Sequence, residues 1–139
     1  QSGDVVVATG AVRHEGTSRE YAPVEFPAVA DYQVQSALVE AAGALGRRWH
    51  AGVVQCKDSF YGQHEPENMP AEPWLKARWE AWRRGNVMTS EMEAAALFVI
   101  SSIRGCRAAS IMSFGDMKKT VEVARDALKI LIRQDAEKK

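Results

Sequence analysis

The sequence predicts an α/β sandwich around a largely parallel or mixed sheet. Two short β-branched runs have the length and composition of buried strands: Val5-Val6-Val7-Ala8, and residues 50–56 carrying Val53 and Val54. Segments with apolar residues at helical spacing alternate with these runs. There is no internal repeat, low-complexity tract or linker, so residues 1–139 read as one domain.

The elements follow in chain order. Gly3-Asp4 leads straight into the first strand without a polar lead, so residues belonging upstream are expected to be missing. A polar segment from Arg13 to Glu20 follows, and Pro23 and Pro27 favour a looped path after it. Asp31 suits the N-cap of a helix over 32–45, with Val34, Leu38, Ala41, Ala42 and Leu45 on one face and Gly46 as its stop. The second strand, 50–56, runs into a long polar and aromatic loop over 57–70. A helix is predicted over 72–84, with Gly85 ending it and Val87-Met88 as an extended link. The next helix, 91–104, is apolar nearly all round and is expected to be central and buried. Residues 106–114 are a further strand candidate, and Asp116 can cap a last amphipathic helix to about Gln134.

Composition narrows the function classes. Hydrophobic residues make up 46% and charged residues 26% of 139 residues, enough to bury a core. Lys plus Arg equals Asp plus Glu at 18 each, which argues against a polyanion such as nucleic acid as partner. Trp74 and Trp82 read as core or interface anchors rather than a base-stacking platform. The apolar stretch from Ala94 to Ile103 is too short to span a bilayer, so no membrane association is expected. Cys56 and Cys106 are too few for a disulfide framework, and His14, His50 and His64 lack ligand-like spacing. No metal and a reducing cytoplasmic setting are therefore expected. There is no P-loop, GxGxxG or Ser-His-Asp signature.

Two segments can carry chemistry. In Asp58-Ser59-Phe60-Tyr61-Gly62-Gln63, Phe60 offers a flat face to a planar ligand. Gln63 carries an acceptor and two donors on one amide, suited to a heterocycle edge, and Gly62 would allow a sharp turn between them. The alternative is an aromatic loop packed on its own domain. In Thr89-Ser90-Glu91-Met92-Glu93, the Ser90 to Glu93 spacing is that of a capping box. The alternative there has the Glu93 carboxylate accepting from a vicinal diol such as a ribose, with Met92 against the sugar ring. The residues alone leave both choices open.

Gly3-Asp4-Val5-Val6-Val7, Phe26-Pro27-Ala28-Val29-Ala30-Asp31, Asp58-Ser59-Phe60-Tyr61-Gly62-Gln63 and Glu91-Met92-Glu93-Ala94-Ala95 occur in the order seen in uridine phosphorylases. The chain thus resembles the hexameric nucleoside phosphorylase superfamily over most of its length. The Glu-Met-Glu segment is shared across that superfamily, whereas the Phe-Tyr-Gly-Gln loop resembles its pyrimidine-specific members. The resemblance implies a three-layer sandwich, a central mixed sheet flanked by helices. It implies reversible phosphorolysis of uridine to uracil and ribose 1-phosphate, with inorganic phosphate as co-substrate and no cofactor.

Position by position, the resemblance implies Phe60 stacking near uracil and sugar, Gln63 reading the uracil edge and Met92 lying against the ribose. Glu93 would bind the 2′- and 3′-hydroxyls, and Glu91 would contribute to the same wall. No residue is assigned a catalytic role. The family assembles as hexamers, trimers of dimers, to which Trp74, Trp79 and Trp82 are candidate contributors.

Three departures stand out. The family's phosphate-holding arginines and Gly-Thr-Thr-Gly-type loop lie upstream of the Gly-Asp strand. Glu65 stands where many members have an arginine, two residues beyond Gln63. Phe114-Gly115-Asp116 replaces a sizeable loop. The domain is therefore expected to be incomplete, without its N-terminal portion and the loop near 114–116. Rival readings are a purine nucleoside phosphorylase or nucleosidase relative, and a non-catalytic nucleoside-binding fragment.

Overall fold

The computed structural model describes residues 3–138. Its sheet is assembled from β1 (Val5–His14), β2 (Trp49–Lys57), β3 (Ser90–Glu91) and β4 (Ile111–Ser113), in the spatial order β3-β2-β1-β4. β1 with β2 and β2 with β3 are parallel, and β4 runs antiparallel along the far edge of β1. The sheet is thus mixed, as expected.

Among the described residues six helices accompany it: α1 (Thr17–Tyr21), α2 (Tyr32–Ala44), α3 (Tyr61–His64), α4 (Glu72–Arg84), α5 (Ala94–Ile103) and α6 (Met117–Glu137). A 3-10 turn covers Pro66–Asn68. Side chains alternate along β1, so Val7 packs with Leu38 of α2 and Val123, Ala127 and Leu131 of α6. Val6 and Ala8 face the other way, with Val54 and Cys56 of β2 and Phe98 and Val99 of α5. Both faces of β1 are covered, which explains an unbroken Val-Val-Val-Ala run where a half-exposed strand would alternate with polar residues. The three layers are α2/α6, sheet and α5.

β1 is longer than its apolar run predicts, reaching His14 through a bulge where its register on β2 shifts between Ala8 and Gly10. The bulge accommodates residues 28–30. Ala11 N donates to Ala28 O and Ala30 N donates to Thr9 O. A Cβ on Gly10 would stand 3.0 Å from Ala28 O, so a side chain there would push the two backbones apart by a few tenths of an ångström.

Arg13, buried at 8% exposure, organises the segment beyond. Nε donates to Ser18 Oγ, Nη2 to the carbonyls of Ser18 and Ala22, and Nη1 to those of Pro23 and Phe26. The polar run from Arg13 is therefore the end of a strand and a short helix wrapped on one guanidinium. At the other end of β1, the Asp4 carboxylate accepts from Arg48 and hydrogen-bonds His50 Nε2, tying the starts of β1 and β2.

The helix predicted from Asp31 forms as expected, its Oδ1 accepting from Val34 N at 3.0 Å. Asp116 likewise accepts from Lys119 N at the start of α6. α5 departs from expectation. It starts three residues late, at Ala94, and while Ala94, Ala95, Phe98 and Val99 are buried, Leu97 and Ile103 are exposed. The sheet lies on one side of this helix, so uniform apolarity does not bring uniform burial. Residues 57–70 are more regular than a loop, holding α3 and the 3-10 turn. Among the described residues no helix is long and apolar enough to cross a membrane.

Candidate functional site

The C-terminal end of β2 delivers Lys57 to a region bounded by α3, α4, β3 and the start of α5. A cavity of about 840 Å³ opens there, and Phe60, Gln63, Glu91, Met92 and Glu93 all line it. A smaller one of about 330 Å³, bordered by His14, Glu15, Arg19, Gln55 and Arg78, adjoins it. Lys57, Gln63 and Trp79 border both. Residues 35 positions apart in sequence meet because β3 pairs parallel with β2, Gln55 beside Ser90 and Cys56 beside Glu91.

Phe60 is half-exposed and stacks on His64, with ring centroids 4.2 Å apart, while the Tyr61 ring meets it edge-on. The sharp turn expected at Gly62 is instead one turn of helix, started by Ser59 Oγ accepting from Gly62 N at 3.0 Å. A Cβ there would come within 3.3 Å of Ser59 Oγ, so Gly62 serves by its small size and not by an unusual backbone angle.

Gln63 lies one helical turn from Phe60, and its Oε1 accepts from Lys57 Nζ and from Ser90 Oγ, the latter at 2.8 Å. Lys57 Nζ also donates to Ser90 Oγ at 2.9 Å. Burial pushes the pKa of Lys57 below its ordinary value, and the nearby charge of Glu91 opposes that shift. The Trp79 ring lies 5.7 Å from the ammonium.

The capping box of Ser90 and Glu93 does not form. Ser90 Oγ is engaged by Lys57 and Gln63, and Glu93 makes no cap bond. Glu91 caps the helix instead, its Oε2 accepting from Glu93 N at 2.7 Å and Ala94 N at 2.6 Å. Its other oxygen, Oε1, is buried without a hydrogen-bond partner. The Glu93 side chain is exposed and borders the larger cavity beside Met92. Behind this wall, burial pushes the Cys56 thiol up to about 12, helped by Glu91 and Glu15, so it stays protonated.

The smaller cavity brings Arg19, Lys57 and Arg78 together with Glu15 and Asp58 beside the Trp74 and Trp79 rings. Gln55 Nε2 pairs with His14 Nδ1 at 2.9 Å. Burial, then the charges of Arg78 and Arg19, lower the pKa of His14. The Arg78 guanidinium carbon lies over the Trp74 ring, 3.6 Å from its centre. Among the described residues no group of three His, Cys, Asp or Glu is placed to hold a metal ion.

The residue sequence reasoning missed is Lys57. It reads as the solvated first residue of a polar loop, yet it ends β2 and is 6% exposed. The one local signal was its position directly after a strand and before the aromatic-amide segment.

Comparison with known proteins agrees with this architecture. A family model described as the phosphorylase superfamily matches residues 1–138. The chain is 46% identical over 151 residues to a uridine phosphorylase of Treponema pallidum, covering 97% of this chain and 58% of that protein. It is 41% identical to a uridine phosphorylase of Thermococcus kodakarensis, covering 98% and 54% respectively. A guanosine phosphorylase of Halorubrum lacusprofundi is 38% identical over 109 residues, covering 78% of this chain and 41% of that protein. The chain spans about half the length of the curated relatives it matches. With that family model matching residues 1–138 and relatives of 41–46% identity, the chain belongs to the phosphorylase superfamily.

Proposed function

We infer that the protein carries out reversible phosphorolysis of uridine, giving uracil and ribose 1-phosphate. The observation that supports this most is the shared cavity of Phe60, Gln63, Met92 and Glu93, which places an aromatic ring, a primary amide, a thioether and a carboxylate around one volume. Phe60 is the stacking face for the pyrimidine and Gln63 its polar reader. Met92 supplies an apolar surface to the sugar, and the uncommitted Glu93 carboxylate accepts from its 2′- and 3′-hydroxyls. Glu91 acts one step behind, holding the turn that presents Met92 and Glu93. Phosphate attacks the anomeric carbon as the glycosidic bond breaks, so catalysis is positioning and charge complementarity without a covalent enzyme intermediate.

Inorganic phosphate is the co-substrate and no cofactor enters the reaction. The residues that hold it, and any catalytic group, are unassigned in this chain. A longer protein supplying an N-terminal portion and a loop near 114–116, assembled as a hexamer built as a trimer of dimers in the cytoplasm, completes this reading. The unpaired Cys56 and Cys106 suit that reducing compartment.

The experiment uses the complete gene product with uridine, inosine and guanosine, each with and without phosphate. Uracil released only with phosphate is expected. Release without phosphate points to a nucleosidase. Turnover of guanosine in place of uridine points to the purine reading, which the guanosine phosphorylase relative favours.

A further inference from the structure

The carbonyl of Gln63 is already occupied. Lys57 Nζ and Ser90 Oγ both donate to Oε1, and an amide oxygen has two lone pairs. What remains for a ligand is Nε2 with its two hydrogens, so Gln63 meets the cavity as a donor. Lys57 is nearly buried, and its hydrogen bonds go to neutral oxygens, Gln63 Oε1 and Ser90 Oγ. Glu65, two residues beyond Gln63, is exposed and accepts from Asn68 Nδ2, so it brings no positive charge to the base.

Resting on the uridine reading above, we propose that Lys57 acts through Gln63: its ammonium turns the amide so that Nε2 faces the base and strengthens it as a donor to a pyrimidine carbonyl. A cation bound at the oxygen of an amide draws electron density from its nitrogen, and hydrogen bonds in such a chain reinforce one another. The effect grows along the reaction. As a phosphate oxygen bonds the anomeric carbon and the bond to N1 breaks, the electron pair passes to the base and spreads onto its carbonyl oxygens. The uracil anion then takes its proton from water. A donor already polarised and fixed in place stabilises that charge without reorganising. Lys57 is a positioning residue, since it touches Gln63 and not the substrate.

The test compares Lys57→Met with wild type in the complete gene product, on uridine and on 5-fluorouridine, whose base leaves more readily. A donor that touches the reacting charge is worth about 100- to 1,000-fold in kcat, so loss of its polariser is expected to cost about 10- to 100-fold on uridine. The loss on 5-fluorouridine is expected to be at least about threefold smaller, because a more acidic leaving group needs less help. Equal losses on both substrates, or none, overturn the proposal. Lys57→Gln, which keeps a donor without the charge, should behave like Lys57→Met, and it replaces that variant should the methionine fail to fold.

A second measurement is independent of turnover. The side-chain amide nitrogen of Gln63, assigned by its disappearance in Gln63→Ala, should move upfield in the Lys57 variant. An unmoved signal overturns the proposal. Wild-type protein inactive on uridine refutes the proposed function instead, and the amide signal still decides whether Lys57 polarises Gln63.

Discussion

The carboxylate of Glu91 holds the backbone amide of Glu93. Its Oε2 accepts from Glu93 N at 2.7 Å, and the adjacent Ala94 N donates to the same oxygen at 2.6 Å. Two acidic residues with near-identical neighbours are thereby separated into different tasks. One is turned inward to complete the first turn of α5, and the other is left free at the cavity.

This division predicts opposite outcomes for two substitutions. Glu91→Ala removes the cap and should lower stability by about 0.5–2 kcal/mol, the range for a lost helix cap. Glu93→Gln should leave stability within about 0.5 kcal/mol, as for an uncommitted surface residue. Its kcat/KM for uridine should nevertheless fall about 10- to 100-fold, matching loss of a charged hydrogen-bond acceptor. Thermal melting and steady-state kinetics on the same preparations separate the two effects. A Glu93→Gln protein that melts early yet turns over normally would return Glu93 to a structural role.

Arg13 is expected to be the most sensitive residue outside the cavity. Its guanidinium serves Ser18, Ala22, Pro23 and Phe26 through their carbonyls. Arg13→Met leaves the Ala22 and Phe26 carbonyls without this donor, while Ser18 O keeps Ala22 N and Pro23 O keeps Phe26 N, and an acceptor orphaned in a buried setting costs about 1–3 kcal/mol. A loss of about 3 kcal/mol or more in denaturant unfolding is the expected result. Arg13→Lys should recover little of it, because an ammonium cannot reproduce the planar fork.

Asp4 sets an acid limit. Arg48, and after it His50, hold its carboxyl well below the usual carboxylate range. Because the folded value is depressed, its stabilisation is complete above the ordinary value near about pH 4 and drains away as pH falls through the folded value. Asp4→Asn should therefore be less stable than wild type at pH 7, with the gap closing toward strong acid. Urea unfolding of both proteins across that range measures it. A gap independent of pH would mean that packing and not charge explains Asp4.

The two thiols should differ in reactivity. Cys56 is fully buried and held protonated, whereas Cys106 is exposed. Brief iodoacetamide treatment of native protein at pH 8, followed by peptide mass analysis, should label Cys106 alone. Cys56 should label only after denaturation. Native labelling of Cys56 would show that the sheet opens at its β2–β3 edge.

Much of the fold was legible locally. The helices at 32–44 and 72–84 were readable because periodicity, an Asp31 cap and terminal glycines all agree within a few residues of each other. The Val5 strand was readable because a doubly covered strand has a continuous apolar run. The extension of β1 to His14 was not, since Arg13 looks solvated until the carbonyls that surround it are in place. In the site, Phe60, Gln63, Met92 and Glu93 could be singled out by side-chain chemistry. The Ser90–Glu93 capping box was the natural local reading and is not what forms, because Lys57 and Gln63, remote in sequence, claim the Ser90 hydroxyl.

The sequence by itself determined the two β-branched strands, the helices starting after Asp31, Ala71 and Asp116, and which residue types line the aromatic-amide and Glu-Met-Glu segments, because periodicity, capping and side-chain chemistry act over a few residues. Only the tertiary structure decided which glutamate caps and which stays free, and that Lys57 is a buried partner of Gln63. Those outcomes depend on which hydrogen-bonding groups the parallel pairing of β2 with β3 brings within 3 Å, and a choice among partners so far apart along the chain has no local signature.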